Sequence, residues 1–266
     1  MRLSLALACA LVAPTAFAES AVPTEPAHWE GAVGLIVHQG PTYLGAADTK
    51  VRATPGLFLR YGRFTITTTS GFVSRRNEEI DRGLTAELVE RGNLRVSLSA
   101  RMDGGRDADV DPALAGLPDL RPTVRLRLSA VKRFDDGWRL AAGVSPDLLG
   151  RGGGALVDLG ISHEWRLSPT LQSTVGVGTT WANRRYQQSY FGITPSQSLS
   201  SGHPVYEPGA GLRDVAVNAG LRAELSPRWI GLASVGANVL QGPAVDSPLT
   251  RRRTNWGVSG GLAWRF

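Results

Sequence analysis

The sequence predicts an all-β fold: a transmembrane antiparallel β-barrel of about 12 strands behind a cleaved signal peptide. Three observations predict it. Apolar and polar side chains alternate in segments of about ten residues along the chain, as in strands that face lipid on one side and a lumen on the other. Short turns and long polar loops alternate between those segments. The seven tryptophans fall at or near segment ends, where indole meets the membrane–water boundary.

The chain starts MRLSLALACALVAPTAFAES, with one charge at Arg2, an apolar run from Leu3 to Ala13 and small residues at Ala16 and Ala18. That is the layout of a secretory signal peptide with an A-x-A cleavage site after Ala18. The expected division is therefore residues 1–18, signal, and 19–266, barrel. The single cysteine, Cys9, leaves with the signal. An exported chain without cysteine has no disulfide framework, thiol nucleophile or thiolate metal site. Removing Arg2 from the 29 basic residues leaves 28 against 23 acidic ones, a net charge of +5. In an exported protein that surplus points to outer-membrane lipid and lipopolysaccharide as partners, and not to nucleic acid.

The segments follow in order. Trp29, Gly31, Val33, Leu35 and Val37 alternate with Glu30, Ala32, Gly34, Ile36 and His38. Residues 51–61 and 63–73 are assigned as strands on their spacing around Tyr61-Gly62-Arg63. Leu84, Ala86 and Leu88 oppose Thr85 and Glu87; after Arg91-Gly92-Asn93, Leu94, Val96, Leu98 and Ala100 oppose Arg95, Ser97, Ser99 and Arg101. In TVRLRLSAVKRF, Val124, Leu126, Leu128 and Ala130 oppose Thr123, Arg125, Arg127 and Ser129. Beyond Asp135-Asp136-Gly137, Trp138, Leu140, Ala142 and Val144 oppose Arg139, Ala141, Gly143 and Ser145. Val157, Leu159, Ile161 and Trp165 face away from Asp158, Gly160, Ser162 and Glu164. Val215, Val217, Ala219, Leu221 and Ala223 face away from Asp214, Ala216, Asn218, Gly220, Arg222 and Glu224. Residues 229–240 fit on spacing, and the final segment sets Trp256, Val258, Leu262, Trp264 and Phe266 on one side.

Six long loops (39–50, 74–82, 102–120, 147–153, 183–211 and 241–253) alternate with five short turns, the last two at Ser168-Pro169 and Ser226-Pro227. Twelve strands result, with both termini on the short-turn, periplasmic side. Trp29, Trp138, Trp165, Trp181, Trp229, Trp256 and Trp264 are assigned to aromatic girdles. The terminal Phe266 resembles the signal read by the outer-membrane assembly machinery.

In this register the aliphatic parity meets lipid and the charged parity lines the lumen. Arg52, Arg60, Arg95, Arg101, Arg125, Arg127, Arg139, Arg222 and Arg265 point inward, together with Glu87, Asp158, Glu164, Asp214 and Glu224. Two readings stand. Rings of charge set selectivity, so the wall could favour anions; alternatively, ion pairs between these residues could fill the lumen.

Among the loops, Asp107, Asp109 and Asp111 have calcium-loop spacing, but Pro112 and Pro118 stand where that motif needs glycine and glutamate. Arg251, Arg252 and Arg253 are candidates for lipopolysaccharide phosphates. The four histidines (His28, His38, His163 and His203) form no His-x-Ser pair, and adjacent Ser162 and His163 point to opposite faces. No phosphate-binding glycine loop or metal-spaced His/Glu set occurs, so neither enzyme activity, cofactor nor metal is expected.

The stretch SYFGITPSQSLSSGHPVYEPGAGLRDV, Ser189 to Val215, resembles the MipA/OmpV family of MltA-interacting outer-membrane proteins. That family carries a Y-F-G-V-[ST]-P-x-Q-[SA] run and then S-G-x-P-x-Y-x-x-G-A-G-L-[KR]-D-V. GRDADVDPALAGLPDL and VDSPLT resemble its G-R-x-x-x-D-x-x-L-x-G-L segment and its C-terminal region. The resemblance implies an outer-membrane barrel with no known enzymatic activity. For some members it implies a scaffold joining a lytic transglycosylase to a penicillin-binding protein, and for others a part in adhesion or osmotic response. It carries over no binding residues. Scaffold and small-anion channel thus stand side by side, with residues 19–28 as the main periplasmic handle of a scaffold. Within the long loop, the structural reading of Tyr190, Phe191 and Tyr206 is a packed lid.

Overall fold

The computed structural model describes residues 29–68 and 82–266. The predicted signal peptide (1–18), residues 19–28 and the 69–81 part of the second long loop and its flank lie outside the described residues. Twelve strands are described: β1 Trp29–Pro41, β2 Thr49–Tyr61, β3 Phe64–Thr67, β4 Gly83–Arg91, β5 Leu94–Asp103, β6 Thr123–Arg133, β7 Trp138–Pro146, β8 Ala155–Ser168, β9 Leu171–Ala182, β10 Gly211–Glu224, β11 Trp229–Leu240 and β12 Thr254–Arg265. Each is antiparallel to its neighbour in sequence, and β1 closes on β12. Closure matters because hydrocarbon offers no partner to a free edge of N–H and C=O groups.

The alternation decides which solvent each side chain meets. Leu35, Leu84, Leu128, Leu140, Leu159, Val217 and Val258 stand exposed on the outer surface. Their opposite-parity neighbours face the lumen. At the short turns, Gly62, Gly92 and Gly137 hold positive φ, the conformation that a side chain disfavours.

Trp29, the first described residue, and the C-terminal Phe266 lie on the short-turn side. There the Phe266 N–H donates to the Gly31 carbonyl at 3.0 Å, and the Phe266 ring occupies the space a Cβ on Gly31 would take. Five tryptophans mark this end: Trp29, Trp138, Trp165, Trp229 and Trp264. Trp181 and Trp256 mark the other. Trp29 packs on Tyr61 at 4.8 Å, Trp264 pairs across from Trp229, and His163 sits between Trp138 (4.7 Å) and Trp165 (4.3 Å).

Among the described residues three β-bulges depart from strict alternation; the third, in β8 between Arg166 and Ser168, adjoins the short turn before β9. In β4 the register shifts between Glu87 and Val89, so Leu88 and Val89 are both exposed outside. Uninterrupted alternation would carry Glu90 to the lipid; the bulge brings it to Arg95 instead, at 3.3 Å. In β10 the extra residue is Arg213, and Arg213 and Asp214 form an ion pair at the rim. A bulge re-aims a side chain without ending the strand.

The long loops are not featureless. Residues 183–211 include α1 (Arg184–Phe191) and α2 (Pro195–Ser201), and α3 (Gly242–Val245) follows β11. Asn183 caps α1 by accepting from the Tyr186 N–H at 3.0 Å. Thr194 and Gln197 form a reciprocal capping box on α2, with Pro195 at its first turn.

Candidate functional site

Five of the long loops pack into one cap over the long-loop end of the barrel. Its first apolar cluster joins Tyr43 and Ala46, Leu114 and Leu117, Ile193, and Leu249, which come from four different loops. Its second joins Tyr186, Phe191 and Ala244 to Leu156, Ala182 and Leu240 on the inner wall. Polar bonds stitch the loops together. The Tyr43 hydroxyl donates to Leu249 O at 2.8 Å, Thr42 Oγ1 to Asp111 at 2.6 Å, Ser247 Oγ to Phe191 O at 2.6 Å and Tyr206 to Pro243 O at 2.8 Å. Burial, with Asp111 nearby, pushes the Tyr43 hydroxyl up to about 12, so it stays a donor.

The cap seals the inner ends of eight consecutive strands. Asp103, Arg125, Ser145, Leu156, Ala182, Asp214, Leu240 and Asn255, one from each of β5 to β12, are its floor. Arg125 is the centre of it, with 0% of its surface exposed. Its guanidinium donates to Asp103 at 2.6 Å, to Gly153 O at 2.7 Å and to Ser145 O at 3.3 Å. The Tyr186 ring of α1 lies 5.5 Å from it and 5.4 Å from the Arg213 guanidinium, which also donates to the Tyr186 hydroxyl at 3.0 Å. One tyrosine thus latches α1 to two cations on the wall. Asn255 holds the first loop by accepting from Gly45 N–H at 2.6 Å and donating to Ala46 O at 3.0 Å.

Asp147 organises the loop that supplies Gly153. Its carboxylate accepts from the Thr123 hydroxyl and from the N–H groups of Leu149, Gly150 and Gly153. Burial alone would raise its pKa. The Thr123 hydroxyl and the three backbone donors outweigh that and hold it below the usual carboxylate range.

Below the cap, the arginine wall is neutralised by its neighbours. Arg127 forks onto Asp158, one bond at 2.6 Å, with its guanidinium lying over Gly143. Arg139 pairs with Glu164, and Arg60 and Arg95 share Glu87 at 3.6 and 3.8 Å. Arg222 and Arg265 share Glu224 at 3.3 and 3.1 Å. Beside these pairs, at the short-turn end, sits a small apolar plug of Ala32, Phe58, Ile230 and Ala263. Of the inward arginines read from the sequence, Arg52 alone lies toward the mouth on the β1–β2 side, donating to Thr42 O at 3.2 Å.

Between plug and cap the β1, β11 and β12 wall is built of small polar residues. A cavity of about 360 Å³ is lined there by His38, Ser234, Gly236, Asn238, Gly257 and Ser259. These residues were not singled out as a site by alternation, because glycine and serine carry little signal in a dyad pattern. Asp111, in the would-be calcium stretch, spends its carboxylate on Thr42 and on the Ala113 N–H. Arg253 turns back to Leu240 O and Gln241.

A family model described as MltA-interacting protein MipA matches residues 33–266. The chain belongs to the MipA family. Its curated relatives include YiaT, named as an outer membrane protein, from Escherichia coli O157:H7 and from strain K12. They are 24% and 23% identical over 200 residues, 75% of each chain. Among solved structures, this MipA-family barrel is similar to an outer membrane channel from Pseudomonas putida F1 (11% identity, 89% of this chain and 95% of that one, TM-score 0.48). It is also similar to the KdgM porin (8% identity, 88% and 99%, TM-score 0.42). The protein is a β-barrel of the bacterial outer membrane.

Proposed function

We propose that this barrel is a structural and scaffolding element of the outer membrane, without catalytic activity, that recruits murein-remodelling enzymes at its periplasmic face. The observation carrying this reading is the cap: a packed body of five loops resting on eight strands, above a lumen where Arg60, Arg95, Arg127, Arg139, Arg222 and Arg265 are paired with carboxylates. A standing anion pore needs unpaired positive charge in contact with water, and Arg125, fully withdrawn from water, cannot supply it. The family's description, MltA-interacting, supports this reading; the partners proposed are a lytic transglycosylase and, with it, a penicillin-binding protein. The periplasmic turns between strands are short, which leaves residues 19–28 as the handle.

Two measurements test the reading. Purified protein in planar bilayers should give no steady single-channel steps; regular anion-selective steps would overturn it in favour of a channel. Detergent-solubilised full chain should co-purify with a lytic transglycosylase, and deletion of residues 19–28 should abolish that. Retention after the deletion would remove the tail as the handle.

A further inference from the structure

We propose that the outer rim between β6 and β8 binds lipopolysaccharide, with three arginines on its phosphates and two leucines under its acyl chains. Arg121, Arg151 and Arg185 are all exposed. Arg151 donates to Pro122 O at 2.8 Å, which sets its guanidinium beside the segment carrying Arg121. Arg185 donates to Gly150 O, which sets its own guanidinium on the loop carrying Arg151. Three cations from three loops therefore follow one another along the rim.

None of the three has a carboxylate partner among the described residues. The acids nearest them in sequence are engaged elsewhere: Asp119 accepts from the Ala108 N–H at 2.7 Å, and Asp147 from its own loop. Neighbouring Arg184, by contrast, is paired with Glu207 at 3.7 Å. Uncompensated charge here differs from the lumen, where each acid was placed to meet an arginine.

The apolar half of the site is adjacent. The Leu148 N–H bonds to Val124 O at 2.8 Å, so Leu148 continues the lipid-facing surface beyond the end of β7. Leu148 is 59% exposed and Leu149 48%. An exposed leucine pair on the same loop as Arg151, next to guanidinium groups without a carboxylate partner, fits a ligand with acyl chains and phosphates at one boundary. The planar fork of arginine suits phosphate oxygens. The rim lies on the long-loop side, which is the outer leaflet in bacterial barrels, and the phosphorylated lipid of that leaflet is lipopolysaccharide.

The test uses detergent-purified full chain and three lipids: bisphosphorylated lipid A, the same lipid with its phosphates removed, and phosphatidylglycerol. Native mass spectrometry reads the affinity. Bisphosphorylated lipid A should bind best. A cation near an anionic lipid surface contributes enough to change affinity about fivefold, so R121A/R151A/R185A should weaken binding on the order of a hundredfold. R228A, an exposed arginine on the periplasmic turn before β11, should leave it unchanged. If the alanine triple fails to fold, R121K/R151K/R185K keeps the charge but not the fork, and should bind several-fold more weakly than the parent. Equal binding of dephosphorylated lipid or of phosphatidylglycerol, undiminished binding by the folded alanine or lysine variant, or loss in R228A would overturn the assignment.

Discussion

A guanidinium withdrawn from water is stable only while its N–H groups keep partners, and at Arg125 those partners come from β5, β7 and the 147–154 loop. Arg125→Ala strands the Asp103 carboxylate and two carbonyls. Breaking a buried pair from one side costs about 3–5 kcal/mol, and here the cost falls on the cap. The variant should still give a folded barrel by gel mobility, but protease should cut residues 183–210 much faster. Gly154 makes a related demand. It holds φ at +57°, and a Cβ would stand 2.4 Å from both Asn183 Oδ1 and the Tyr186 N. Gly154→Ala should therefore break the α1 cap, at roughly 1 kcal/mol or more, and show the same protease phenotype. Asp147 adds a pH signature. Its folded pKa is depressed from 3.8, so its contribution is present above about pH 4 and is lost as pH falls through the lowered value. Hydrogen exchange at Leu149, Gly150 and Gly153 should be slow at neutral pH and accelerate in that acid window, whereas Asp147→Asn should exchange fast throughout. That the arginines share one parity is legible in the sequence. Their partners are not, because Arg127 with Asp158 and Arg265 with Glu224 meet only once the register is set.

At the scale of the strand, alternation is physically compelled, since each face has its own solvent. That is why the strand boundaries read from turns and loops match those observed for most of the barrel. What alternation could not show were the bulges: no pattern of residues marks Leu88 or Arg213 as the extra residue. The helices had a legible signal that a search for dyads passes over. Asn183, Tyr186, Gln187, Tyr190 and Phe191 recur at helical spacing, and Thr194-Pro195-Ser196-Gln197 is a capping box with proline at the first helical position. The register itself is testable by a pair of substitutions at adjacent positions. Leu126→Arg sets a charge on the lipid face toward the long-loop end, at a cost below the roughly 2–4 kcal/mol of the midplane, and should still lower the yield of heat-modifiable folded barrel in outer-membrane fractions. Arg125→Leu, one residue away, changes only the lumen side and should assemble normally while loosening the cap. Equal assembly of both would mean that the two faces are assigned wrongly.

For the molecule as a whole, the lid read from Tyr190, Phe191 and Tyr206 is one part of a larger cap whose other loops sequence reading misses, and for a physical reason. Each loop taken alone is largely polar, with its apolar residues scattered. Tyr43, Leu114, Ile193 and Leu249 form a core only because the closed barrel brings four loops to one mouth. The same closure makes the cap removable in principle, since the strands satisfy their backbone groups without it. Replacing residues 184–201, which include both helices, with a short glycine–serine linker withdraws Tyr186 and Phe191 from their cluster and uncovers Arg125. The 360 Å³ cavity beside His38 and Asn238 would then face the outside. If the cap is the barrier, bilayers containing the shortened chain should show steps where the full chain is silent. If the ion pairs at Arg60, Arg95, Arg222 and Arg265 hold the other end, those steps should be small, and should grow when Glu224→Gln and Glu87→Gln free the arginines. Selectivity distinguishes the contributions: with the acids present, anions and cations should pass nearly alike, and only the double glutamine variant should prefer anions. Silence of the shortened chain would put the barrier at the periplasmic plug alone, and anion preference with the acids intact would mean that the pairing does not neutralise the wall.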